Sequence, residues 1–191
     1  MNDPRPGSGR LQLFLIAAVF IGPLVAAIWL YSAGGSVQPD LRANSGALLE
    51  PIINLKDALP ASPLYAEQSG RWLLVFSEQS ECDADCESGL YAIRQLRQML
   101  GRESQRVARI FLHGESPADT VVLADQHEGL ITIEDSSLSA LLDSKKPDEL
   151  AAGGYYLIDP QSNLVMYFQP DLDPRVIVDD IKRLLKLSRI G

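Results

Sequence analysis

From Leu11 to Tyr31 the chain carries no charged side chain, and Gln12 is the one polar side chain before Tyr31. A bilayer core takes roughly 20 apolar residues in a helix, so this run is expected to form a single transmembrane helix. Pro23 does not argue against a span, because membrane helices tolerate an interior proline. A cleaved signal peptide would have an apolar region of about 7 to 15 residues. The tract Ser32–Gly35 imitates a cleavage site, but Tyr31 is bulky where a small residue is wanted. Arg5 and Arg10 precede the run and Arg42 follows it. The positive-inside rule then places residues 1–10 in the cytoplasm and the remainder outside. The expectation is a single-pass inner-membrane protein with a periplasmic C-terminal domain.

Beyond the anchor, enough of the 191 residues remains for one ordinary domain. A hydrophobic content of 46% with 22% charged residues is that of a globular chain. The formal charge of −8 excludes a nucleic-acid partner, which needs a basic footprint. It also leaves no polybasic patch for anionic lipid. Two cysteines in an exported domain suit an oxidising compartment.

Residues 32–70 hold Gly34, Gly35, Pro39, Gly46, Pro51, Pro60 and Pro63, with a short apolar patch from Leu48 to Leu55. They are expected to be a tether between the anchor, residues 11–31, and a domain over residues 71–191. In that domain Trp72–Phe76 is a continuous apolar run, the pattern of a strand buried on both faces. Cys86, Leu90, Ile93, Leu96 and Leu100 recur at helical spacing, and Gly101 supplies a stop. Val107–Leu112 is a second buried strand. A short helix is expected over Pro117–Gln126, an extended piece over Leu130–Ile133 and another short helix near Leu138–Leu142. Tyr155–Ile158 and Leu164–Phe168 flank Asp159–Asn163, whose turn-forming residues mark a hairpin. Asp173 and Pro174 then supply an N-cap and first position for a last helix. A parallel pair linked by a helix, followed by a hairpin and a closing helix, is an α/β order of thioredoxin-like type.

The two cysteines, Cys82 and Cys86, fall between the first domain strand and its helix. A helix N-terminus favours a thiolate, a spacing of four brings two sulfurs within bridging distance, and ligand sites in open α/β sheets lie beyond the carboxyl ends of the strands. Three uses compete. A structural disulfide closing so short a loop stabilises little. Thiol–disulfide exchange is the second, though acidic neighbours oppose a low thiol pKa and so a strongly oxidising pair. Soft-metal binding is the third, Cu(I) above all, since two thiolates suit it. His113, after the second buried strand, and His127 are the available histidines. For both, a solvent-facing residue at an element end is the expectation over a metal ligand.

The cysteine pair with three intervening residues, opening a helix after an apolar strand, resembles the Sco/SenC proteins. So does Tyr155-Tyr156-Leu157-Ile158-Asp159-Pro160 with its return strand, and the N-terminal anchor extends the likeness along most of the chain. The resemblance implies a thioredoxin-like fold and a protein partner in haem–copper oxidase assembly. It also implies that Cys82 and Cys86 act as the thiol pair, in copper handling or in reducing the partner's cysteines. Copper-binding relatives place a histidine just before the hairpin. Here Glu149–Gly154 holds none, so copper would have Cys82 and Cys86 without the usual third ligand. A general periplasmic thiol–disulfide oxidoreductase and a non-catalytic binding module braced by a disulfide are the alternatives. No proline directly precedes Tyr155, which argues against the first of these.

Overall fold

The computed structural model describes residues 8–32, 45–68, 70–114, 123 and 125–188, and the chain divides into two compact units, Met1–Ala43 and Asn44–Gly191. In the first unit, α1 (Ser8–Ser32) is one helix of 25 residues with Pro23 inside it. At 1.5 Å per residue it is roughly 37 Å long. Leu15, Ile16, Val19, Phe20, Leu24 and Ile28 are exposed on it. Among the described residues taken alone, no helix is long and apolar enough to cross a membrane. The span expected over Leu11–Tyr31 therefore rests on its full sequence, in which no charge interrupts the run.

The second unit is built on a six-stranded mixed sheet. In chain order its elements are β1 (Ala47–Asn54), α2 (Leu55–Ala58), α3 (Leu64–Gln68), β2 (Trp72–Glu78) and α4 (Ala84–Met99). A 3₁₀ turn at Gly101–Arg106 leads to β3 (Val107–His113), β4 (Leu130–Glu134), α5 (Ser136–Lys145), β5 (Tyr155–Ile158), β6 (Asn163–Phe168) and α6 (Pro174–Leu187). The strand order is β1-β6-β5-β2-β3-β4. β2, β3 and β4 run parallel, while β5, β6 and β1 are added by antiparallel pairings.

Period-two alternation along β2 sends its side chains to two different cores. Leu74 and Phe76 join Leu90, Ile93 and Leu96 of α4 and Ile177 and Ile181 of α6 on one face. Leu73 and Val75 join Leu55, Leu64, Leu138 and Leu142 on the other. Both faces are covered, which is why β2 reads as an unbroken apolar run. The hairpin between β5 and β6 forms as its turn residues dictate, with Asp159 Oδ1 accepting from the Gln161 and Asn163 amides at 2.8 Å each. Gly101 takes φ +62° beyond α4, and Asp173 caps α6 by accepting from the Arg175 amide at 2.8 Å. Of the helix expected over Pro117–Gln126, only Leu123, Asp125 and Gln126 lie within the described residues, where they are helical.

Between residues 45 and 68 the expected tether is instead part of the fold: β1 pairs with β6, and Leu55 and Leu64 are fully buried. The physical link is Asp180 of α6, which is 3% exposed and accepts from the Ser45 and Gly46 amides at 2.6 and 3.0 Å. Residues 33–44 of that expected tether lie outside the described residues.

Candidate functional site: a disulfide at the mouth of an acidic cleft

Cys82 and Cys86 are joined by a disulfide with a Cα–Cα distance of 5.1 Å. Only Cys86 belongs to α4. Cys82 precedes the capping residue Asp83, so the pair straddles the helix start. This makes the sulfurs unequal. Cys86 is 1% exposed and packs in the core beneath α4, whereas Cys82 is half-buried at its edge. Cys82 is thus the more accessible residue of the bonded pair.

The helix N-terminus does not offer its amides freely to a thiolate. Asp83 Oδ1 already accepts from the Asp85 and Cys86 N–H groups, both at 3.1 Å. The cap therefore occupies, with a full negative charge, the place where a thiolate would gain most from the helix dipole.

A cleft of about 500 Å³ opens beside the disulfide, lined by Cys86, Glu78, Asp83, Asp85, Tyr155 and Ala152 among others. Its floor depends on a close approach of helix and strand. Gly89 of α4 sits against the Phe76 ring, where an added Cβ would come within 2.5 Å. Phe76 packs in turn on Phe111 and Tyr155, with centroids 6.0 and 6.1 Å away. Burial, and then the neighbouring Tyr167 phenol, raises the Tyr155 pKa, so its hydroxyl stays protonated as a donor.

The far wall is the segment before β5. Tyr167 holds it: its hydroxyl accepts from the Gly154 amide at 3.0 Å and donates to the Ala151 carbonyl at 2.5 Å. Ala152 and Gly153 line the cleft, so this segment faces the site without a side-chain donor. The sequence draws attention to Glu149–Gly154 only through the resemblance, since neither Ala152 nor Gly153 carries chemistry of its own.

The histidines depart from expectation, since both are buried and 7% exposed. His113 ends β3, with Nδ1 2.8 Å from the Gly114 carbonyl and its ring 5.6 Å from that of Phe111. It is the register neighbour of Glu78 on β2 and Glu134 on β4, but it does not line the cleft. His127 lies in the turn before β4. Among the described residues no three His, Cys, Asp or Glu side chains are grouped to hold a metal ion.

Residues 72–188 match a family model described as transmembrane-like, thioredoxin-like, C-terminal domain, and residues 4–34 match one described as transmembrane-like, N-terminal domain. Among solved structures the chain is similar to yeast Sco1 with copper bound, at 16% identity and a TM-score of 0.51, covering 65% of this chain and 81% of that one. It is also similar to Arabidopsis thaliana ScoI with copper bound, at 16% identity and a TM-score of 0.50, over 65% and 89% of the two chains. At such identity the likeness establishes a shared fold, the thioredoxin-like fold of the Sco proteins. No curated protein sequence matches the chain.

Proposed function

The chain belongs to the transmembrane-like, thioredoxin-like family, and from that premise we propose that it is a membrane-tethered, Sco-like thiol protein. Its Cys82–Cys86 pair exchanges disulfides with a periplasmic partner during assembly of a haem–copper oxidase. The observation that supports this proposal is the unequal burial of the two bonded cysteines, with Cys86 in the core beside the cleft and Cys82 half-buried before the helix start. When the pair is reduced, the Cys82 thiolate attacks a partner disulfide and forms a mixed disulfide. The Cys86 thiolate then displaces the partner's sulfur, leaving this pair oxidised and the partner with two thiols. The acid-rich surroundings, with Glu78, Asp83 and Asp85 on the cleft wall, keep the pair from being strongly oxidising. They favour this direction, reduction of the partner.

Anchoring by α1 is part of the proposal. It is supported by the uncharged run Leu11–Tyr31 and the transmembrane-like match over residues 4–34. The oxidase partner follows from the likeness of the cysteine motif and the Tyr156-Leu157-Ile158-Asp159-Pro160 hairpin to the Sco/SenC proteins.

Copper is the second use to weigh, because both similar structures hold it. The donors around the cleft fit it poorly. Beyond two sulfurs tied in a disulfide there are carboxylates, and Ala152 and Gly153 stand on the opposite wall. Cu(II) prefers four ligands in a tetragonal set with nitrogen, and two thiolates alone suit only Cu(I).

The deciding experiment titrates the reduced full chain, in a non-ionic detergent, with Cu(I) and Cu(II) against a competing chelator. Weak Cu(I) binding, negligible Cu(II) binding and loss of oxidase assembly in a Cys82→Ser strain are expected. Tight one-to-one Cu(II) binding that disappears in His113→Ala would replace this proposal with copper delivery through a relocated ligand.

A further inference from the structure

The chain has 17 lysines and arginines against 25 aspartates and glutamates, yet three arginines gather where α4 and β3 meet the turn before β4. Arg94 Nη1 donates to the Gln126 carbonyl at 2.9 Å, and Arg97 Nε donates to the Val107 carbonyl at 2.9 Å. Arg109 of β3 is 3% exposed, and its Nη2 donates to the Glu128 carbonyl. Among the described residues its Nε and Nη1 have no hydrogen-bond partner, and neither does Nδ1 of the equally enclosed His127. Among the described residues, no carboxylate makes an ion pair with any of the three arginines.

Such a group is costly as it stands. A buried guanidinium loses its hydration and regains it only through partners, and donors left unmade forfeit that compensation. The charge is uncompensated too. Burial, then Arg97 and Arg94, pull Arg109 below its ordinary range. Burial, then Arg109 and Arg94, pull His127 down, and only Glu87 of α4 acts the other way. None of these four residues lines the cleft beside the disulfide.

We propose that Arg94, Arg97, Arg109 and His127 form a binding site for a compact oxyanion of the phosphate type, seated against the turn 126–130. The donors come from a helix, a strand and a turn, and a tetrahedral ion presents acceptors in that many directions where a planar carboxylate does not. Charge-assisted hydrogen bonds from guanidinium to oxyanion are the strong ones. An ion there would complete the partners of Arg109 and tie β3 and α4 to the turn.

The test uses the full chain in a glycoside detergent, which carries no phosphate, at constant ionic strength in chloride. Inorganic phosphate is titrated calorimetrically in one arm, and glycerol 3-phosphate, a soluble lipid-headgroup mimic, in the other. One ion per chain is expected, with a Kd of about 1 mM or tighter. Binding in the first arm alone identifies free phosphate as the source, and tighter binding in the second identifies a headgroup. Arg109→Met should weaken either at least ~10-fold. This change puts an apolar side chain of similar volume in place of a buried cation, which a fold commonly survives. Arg94→Gln, at a half-buried helix position, should weaken binding several-fold and covers the case in which Arg109→Met does not fold. Failure of either ion to bind saturably would mean that water satisfies these donors, and the proposal falls. Wild-type affinity in the folded variants would overturn it equally.

Discussion

The disulfide draws its character from Asp83, which directly follows the half-buried Cys82 and caps the helix that carries the buried Cys86. Its carboxylate caps α4 and holds the two amides nearest the sulfurs. Asp83→Asn retains a capping oxygen and removes the charge, so the reduced Cys82 thiol should ionise more readily. Its rate with a thiol probe at pH 7 should rise several-fold over wild type. An unchanged rate would show that the cap charge does not govern the thiol. His127 sets a different pH dependence. Its folded pKa lies below the ordinary 6.5, first through burial and then through Arg109 and Arg94. Near and below pH 6.5 the unfolded chain therefore binds more protons at this residue than the folded one. Stability from this source falls as pH falls. The drop in Tm between about pH 7.5 and 5.5 should be smaller in His127→Gln than in wild type, and an equal drop would refute the assignment.

At the scale of elements, the cleft exists because glycines let packed pieces approach closely. Gly89 brings α4 down onto Phe76, and Gly154 brings the segment before β5 onto β6. A Cβ at Gly154 would lie 2.1 Å from the Phe168 carbonyl oxygen, a backbone atom that cannot give way as a side chain can. Gly154→Ala should therefore cost roughly 3 kcal/mol in denaturant unfolding. Tyr167→Phe should cost less, about 1–2 kcal/mol, because it removes one hydroxyl and leaves the Gly154 amide unpaired without forcing atoms together. The order of these two costs is the critical result. A larger loss in Tyr167→Phe would place the wall's stability in the hydroxyl and not in the close approach.

For the molecule as a whole, the position of β1 decides where the domain begins. β1 joins an edge of the sheet through β6, far along the chain, and Asp180 binds the backbone at its start. A chain beginning at residue 71 would leave that buried carboxylate without its amides and uncover Leu164 and Tyr167. Residues 71–191 expressed alone should fail to give a cooperative unfolding transition, whereas residues 44–191 should unfold in a single step. A cooperative transition in the shorter piece would show that β1 is an ornament.

Local chemistry made much of this legible. β2 opens on an apolar run because both its faces are covered, and β3 is buried throughout although Arg109 interrupts its apolar residues. The face of α4, its Gly101 stop, the Asp159 turn and the Asp173 cap are all decided within a few residues of chain. So is the cysteine pair, whose spacing is enough to allow a bridge. β1 was hidden because only Leu49 is buried along it and Pro51 interrupts the ladder between Leu48 and Ile53, leaving no alternation to detect. The histidines looked exposed because each ends an element, yet both are buried in the folded chain. Which sulfur faces outward, which segment walls the cleft and which arginine is enclosed without partners depend on packing between remote elements. Sequence by itself specified the pieces and the thiol pair. Only the tertiary structure gave the two sulfurs different surroundings, because burial belongs to the assembled sheet and helices and not to any one stretch of chain.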